Sequence, residues 1–213
     1  MYQILEPIRE CGILPIARFE DAQQAIPFAE AIRDGGMPFM EVLCRTDAAL
    51  ASIRSVTEKY PDYLIGAGTI LTEEQAEKAI IAGAKFLVSP GFDPELVKYC
   101  LNRCVPIVPG CMTPGEVQQA LKLGVKVQKF FPADAYGGTA ILKELYGPYP
   151  EVSFVATSVS VEKVAEYLKC PNVAAVGGLF MYDEDCRRQG NFDAIREQIL
   201  SFGQRYNREY TNM

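Results

Sequence analysis

No histidine occurs among the 213 residues. That absence excludes a Ser-His-Asp triad, a Cys-His pair and the usual histidine-rich catalytic metal site. General acid or base work therefore falls to carboxylates, lysine, tyrosine, cysteine or water. No apolar run approaches the ~18 residues needed to span a bilayer, and no linker or low-complexity tract divides the chain. The seven cysteines are odd in number and lack paired metal-type spacing. Residues 1–10 lack the charged-then-apolar pattern of a secretory leader, so the expectation is a cytoplasmic protein with reduced thiols. Basic charge is also short. A net charge of -6 and a pI near 4.9 argue against nucleic acid and against an anionic membrane surface, while leaving room for a local basic pocket. The expected partner is a small molecule.

What is present is ordinary for a globular protein: 49% hydrophobic and 23% charged residues, enough chain to bury a core in one domain over residues 1–213. Apolar runs alternate with helical periodicity. Strands are expected at residues 12–17, 39–44, 64–67, 86–89, 105–108, 126–131, 151–156 and 172–176. Helices are expected at 21–33, 47–59, 73–82 and 114–123, with Asp21 and Thr113 as caps and Pro114 in the first helical position. Eight strand-helix units predict an α/β fold, a single-domain (β/α)8 TIM barrel. An open doubly wound sheet would give the same apolar pattern. The placement of polar residues favours the barrel, because Glu41, Arg45, Thr69, Pro90, Lys129 and Thr157 fall on or just beyond the ends of different strands.

In strand two, period two puts Glu41, Leu43 and Arg45 on one face and Met40, Val42 and Cys44 on the other. The second set suits packing against helices, which turns the glutamate and arginine inward. Two readings stand side by side: a structural ion pair, or a proton shuttle at Glu41 with Arg45 as a fork for a substrate carboxylate. In strand six the same period carries Val127, Lys129 and Phe131 inward, with Pro132 ending the strand. An inward lysine loses hydration of its ammonium, and more of it becomes the neutral amine that attacks ketones to form a Schiff base. A surface lysine on an edge strand is the plainer alternative.

Several motifs in order carry a resemblance. Glu41-Val42-Leu43-Cys44-Arg45-Thr46, Gly66-Ala67-Gly68-Thr69, Val88-Ser89-Pro90-Gly91, Pro106-Ile107-Val108-Pro109-Gly110 and Lys129-Phe130-Phe131-Pro132-Ala133 resemble the signatures of the KDPG/KHG aldolases. These are class I enzymes acting on 2-keto-3-deoxy-6-phosphogluconate and 4-hydroxy-2-oxoglutarate. The resemblance implies a homotrimer that uses no metal or organic cofactor and takes a keto acid. It makes Lys129 the Schiff-base lysine and Glu41 the general acid/base. Arg45 and Thr69 would bind the pyruvate carboxylate, with Pro90 and Phe131 lining the pocket. Oxaloacetate decarboxylation by the same imine, and a non-catalytic keto-acid-binding barrel, are the alternatives.

The chain departs from that family pattern at two loops. Phosphate-handling members resemble Thr-Gly-Gly after strand seven and Gly-Gly-Ser after strand eight. Here the loops read Thr157-Ser158-Val159-Ser160 and Gly177-Gly178-Leu179-Phe180. The expectation is a weakened phosphate site and a substrate that need not be phosphorylated. Arg18, after strand one, offers a substitute cation for the distal end of a short substrate; a solvated loop arginine is its plainer reading.

Overall fold

The structure, a computed structural model, describes residues 2–206. Its strands are β1 (Ile13–Ala17), β2 (Phe39–Leu43), β3 (Leu64–Gly68), β4 (Phe86–Val88), β5 (Ile107–Val108), β6 (Val127–Phe130), β7 (Ser153–Thr157) and β8 (Val173–Gly178). They pair in parallel in the order β5-β4-β3-β2-β1-β8-β7-β6. The two ends meet at a bridge between Gly110 and Lys129. There the Lys129 N-H donates to the Pro109 carbonyl at 2.8 Å, and the Lys129 carbonyl accepts from the Cys111 N-H at 2.9 Å. The sheet thus closes into the expected TIM barrel, and the contact that closes it runs through the backbone of Lys129.

The helices are α1 (Glu6–Cys11), α2 (Ala25–Asp34), α3 (Ala49–Lys59), α4 (Glu73–Ile81), α5 (Pro94–Asn102), α6 (Pro114–Lys122), α7 (Gly138–Tyr146), α8 (Val164–Leu168), α9 (Glu184–Arg188) and α10 (Phe192–Tyr206). They lie outside the sheet and bury one face each. In α3 the buried positions are Ala49, Ser52, Ile53 and Val56, the i, i+3, i+4, i+7 spacing of a helix packed on one side. Thr113 caps α6 in a capping box with Glu116, as expected. Asp21 instead caps a short 3-10 turn, Ala22–Gln24, through the Gln23 N-H, and α2 starts four residues later than the periodicity suggests. Pro27 falls in the first turn of α2, where its missing N-H costs nothing.

Two boundaries moved for identifiable reasons. β5 is two residues long rather than four, since Pro106 has no N-H to give to a ladder. β8 continues through Gly177 and Gly178, which pair with Leu14 and Pro15; glycine carries no strand signal of its own. The helix α1 is absent from the sequence reading because six residues are too few to show a period. Leu5 and Ile8 reach under the barrel, and the Tyr2 hydroxyl donates to the Ile107 carbonyl at 2.8 Å. Together they form the floor of a small chamber of about 40 Å³, whose walls include Phe86, Glu41 and Lys129.

Candidate active site

β2 and β6 carry Glu41 and Lys129 to the same point inside the barrel. Lys129 is 5% exposed and Glu41 is fully buried, with Lys129 Nζ 3.8 Å from Glu41 Oε1. Neither Glu41 oxygen accepts a hydrogen bond among the described residues. A buried carboxylate with no donor costs several kcal/mol unless something compensates it, and its ion-pair partner Lys129 Nζ stands beyond hydrogen-bond distance. Such a pair is poorly built for stability. Both residues also border the largely apolar chamber below.

The carboxylate fits only because β3 is bare opposite it. A Cβ at Gly68 would lie 2.0 Å from Glu41 Oε1, and one at Gly66 would meet the Phe86 ring at 2.2 Å. Sequence reasoning missed this role for Gly68. The signal was available, since Gly66 and Gly68 alternate onto one face of a strand while Ala67 takes the other.

Arg45 requires a correction. Period two carried it into the interior, but β2 stops at Leu43 and the Arg45 N-H turns back to the Leu43 carbonyl at 2.9 Å. The side chain is exposed at the mouth, where its Nε donates to Thr69 Oγ1 at 2.9 Å. Thr69 is held at φ 64, a left-handed conformation costly for a β-branched residue. With Nε spent on Thr69, the two terminal nitrogens of Arg45 have no partner among the described residues.

Other sequence-designated residues ring the same end. Phe131 lies just past β6, its ring centroid 5.2 Å from Lys129 Nζ. Pro90 follows β4 with its carbonyl so near Gly110 that a Cβ there would sit 2.0 Å from it. Thr157 ends β7, buried, with an unpartnered hydroxyl. Arg18 follows β1, which does pair with β8, but its guanidinium is exposed and engaged with Glu20 at 2.5 Å. Tyr136, in the short turn Asp134–Tyr136 after β6, carries a phenol that could also move a proton, but it is exposed. Cys44 is no rival nucleophile: burial, and secondarily the Glu41 charge, push its thiol up to about 11, so it stays protonated at neutral pH.

The loop after β7 is organised around Asp134. Its carboxylate accepts from the Ser160 N-H at 3.0 Å, the Ser160 hydroxyl at 2.6 Å and the Tyr167 hydroxyl at 2.8 Å, with Lys163 Nζ at 3.5 Å. Partial burial alone would raise its pKa, but these hydrogen bonds and the lysine charge hold it below the usual carboxylate range. Ser158 stands at φ 61, and Leu179 after β8 is exposed. Among the described residues no group of three or more His, Cys, Asp or Glu could hold a metal ion, and no helix is long and apolar enough to cross a membrane.

A closed (β/α)8 barrel with a buried lysine-carboxylate pair beneath its mouth has the architecture of a class I aldolase, a carbon-carbon lyase. The family model for KDPG and KHG aldolase matches residues 4–198, and the chain belongs to that family. It is 41% identical to 2-dehydro-3-deoxy-phosphogluconate aldolase of Treponema pallidum over 94% of this chain and 97% of that protein. It is 33% identical to KHG/KDPG aldolase of Escherichia coli K12 over 86% of each. Among solved structures, KDPG aldolase of Legionella pneumophila, with pyruvate captured at low pH as a covalent carbinolamine intermediate, superposes with a TM-score of 0.88 at 34% identity, covering 92% of this chain and 96% of that one.

Proposed function

We propose that this protein is a Schiff-base aldolase that reversibly cleaves a 4-hydroxy-2-oxo acid to pyruvate and an aldehyde. The carrying observation is the Lys129 amine 3.8 Å from the donor-free Glu41 carboxylate, inside a barrel. The carbinolamine captured in the Legionella relative supports the same chemistry here.

Neutral Lys129 Nζ adds to the C2 ketone, and loss of water gives the iminium. Glu41 takes the proton of the C4 hydroxyl, directly or through a water. The C3-C4 bond then breaks, its electron pair forming the C2=C3 double bond of an enamine as the C=N π pair moves onto nitrogen, and the aldehyde departs. Protonated Glu41 returns the proton to C3, and water releases pyruvate from the lysine. Arg45, oriented by Thr69, holds the C1 carboxylate through its free fork; Phe131 and Pro90 wall the pyruvyl carbons, and Thr157 faces the distal part of the substrate.

The distal end takes a substrate that need not be phosphorylated. Ser160 has given both donors to Asp134, and Leu179 brings an aliphatic side chain where a hydroxyl would serve a phosphate. We place the enzyme in the cytoplasm, in keeping with its free cysteines, and take it as a homotrimer, as the family resemblance implies. The deciding experiment is borohydride reduction in the presence of pyruvate, then intact mass and peptide mapping. A single pyruvyl adduct on Lys129 is expected, and Lys129→Ala removes it together with all turnover. Labelling elsewhere, or none, rejects the reading.

A further inference from the structure

Phe131 is held by an unusual acceptor. The bridge that closes the barrel sends the Lys129 N-H to Pro109 and the Cys111 N-H to Lys129. The next rung of a parallel ladder would take the Phe131 N-H to the Cys111 carbonyl. It goes instead to Met112 Sδ, at 3.2 Å. The backbone that carries the thioether is itself anchored, because Glu116 Oε2 accepts from the Met112 N-H at 3.0 Å and from the Thr113 N-H at 2.8 Å within the capping box of α6. A chain of contacts therefore runs from the first turn of α6, through the Met112 sulfur, to the backbone of the residue whose ring stands 5.2 Å from Lys129 Nζ.

We propose that Met112 is a positioning residue for the Lys129 pocket, its sulfur fixing the Phe131 backbone and with it the ring that walls the pyruvyl carbons. The inference rests on the aldolase reading above. Leucine matches methionine closely in volume but accepts no hydrogen bond, so it separates acceptor from packing. Glutamine keeps a comparable length and restores an acceptor.

The test compares wild type, Met112→Leu and Met112→Gln by steady-state kinetics, borohydride trapping with pyruvate, and amide hydrogen exchange at Phe131. In the leucine variant the Phe131 amide should exchange faster and KM should rise about three- to tenfold, the scale of one lost hydrogen bond. The kcat should change less than KM, because the wall binds ground and transition states alike. Glutamine should recover both protection and KM. Wild-type KM and Phe131 protection in the leucine variant would overturn the proposal, as would equal impairment of leucine and glutamine, which would assign Met112 to packing alone. A wild-type enzyme that traps no pyruvate removes the aldolase reading and this role with it, whereas normal trapping with an unaltered leucine variant removes only the role of Met112.

Discussion

A Cβ on Gly68 would stand 2.0 Å from Glu41 Oε1 and 2.8 Å from Glu41 Cδ, so β3 admits the carboxylate only by lacking a side chain at that point. Gly68→Ala must displace the Glu41 carboxylate from its present position. The expected result is a kcat loss on the order of 10²-fold, the usual contribution of a positioned acid/base. Overpacking should also cost about 1–3 kcal/mol of stability. Kinetics alongside thermal unfolding separate the two, and a variant with wild-type kcat would show that Glu41 has room elsewhere.

Glu41 and Arg45 should fail in different ways. Glu41→Gln keeps the shape and the amine, so pyruvate should still be trapped on Lys129 while turnover falls about 10²-fold or more. Arg45→Ala removes the proposed carboxylate fork, and KM should rise about 10- to 100-fold, the worth of a hydrogen bond to a charged group. Undiminished turnover in Glu41→Gln would move the proton shuttle to Tyr136 or an ordered water.

Asp134 links the active-site loop to acid stability. Its carboxyl is held below the usual range in the folded protein, against about 3.9 when unfolded. A lowered folded value means that the contribution is complete above the unfolded value and fades as pH falls through the folded one. Urea midpoints of wild type and Asp134→Asn should therefore differ most at neutral pH and converge as the pH falls below about 4. A gap that widens toward acid contradicts the contacts around Asp134.

The proposed reading puts substrate choice at Leu179, Ser160 and Arg18. 4-Hydroxy-2-oxoglutarate should be cleaved with kcat/KM at least comparable to that of 2-dehydro-3-deoxy-6-phosphogluconate, and Arg18→Ala should lower it by breaking contact with the distal carboxylate. Both substrates measured side by side decide the matter. A strong preference for the phosphorylated compound would mean that backbone N-H groups around Ser158 still bind phosphate.

The sequence by itself determined the alternation of eight strands with helices, the inward faces of Glu41 and Lys129, and the family to which their motifs point. Each of these is a local matter, written in the period of neighbouring side chains. Tertiary structure decided the rest. Arg45 left the interior because β2 ended two residues before it, a boundary that periodicity does not mark. The floor under Lys129 came from α1, too short to announce itself, and the Asp134-Ser160 and Met112-Phe131 contacts join loops whose sequences carry no sign of each other. Glu41 meets Lys129 at 3.8 Å because the sheet closes: register and closure set distances across a barrel, and they depend on all eight strands at once.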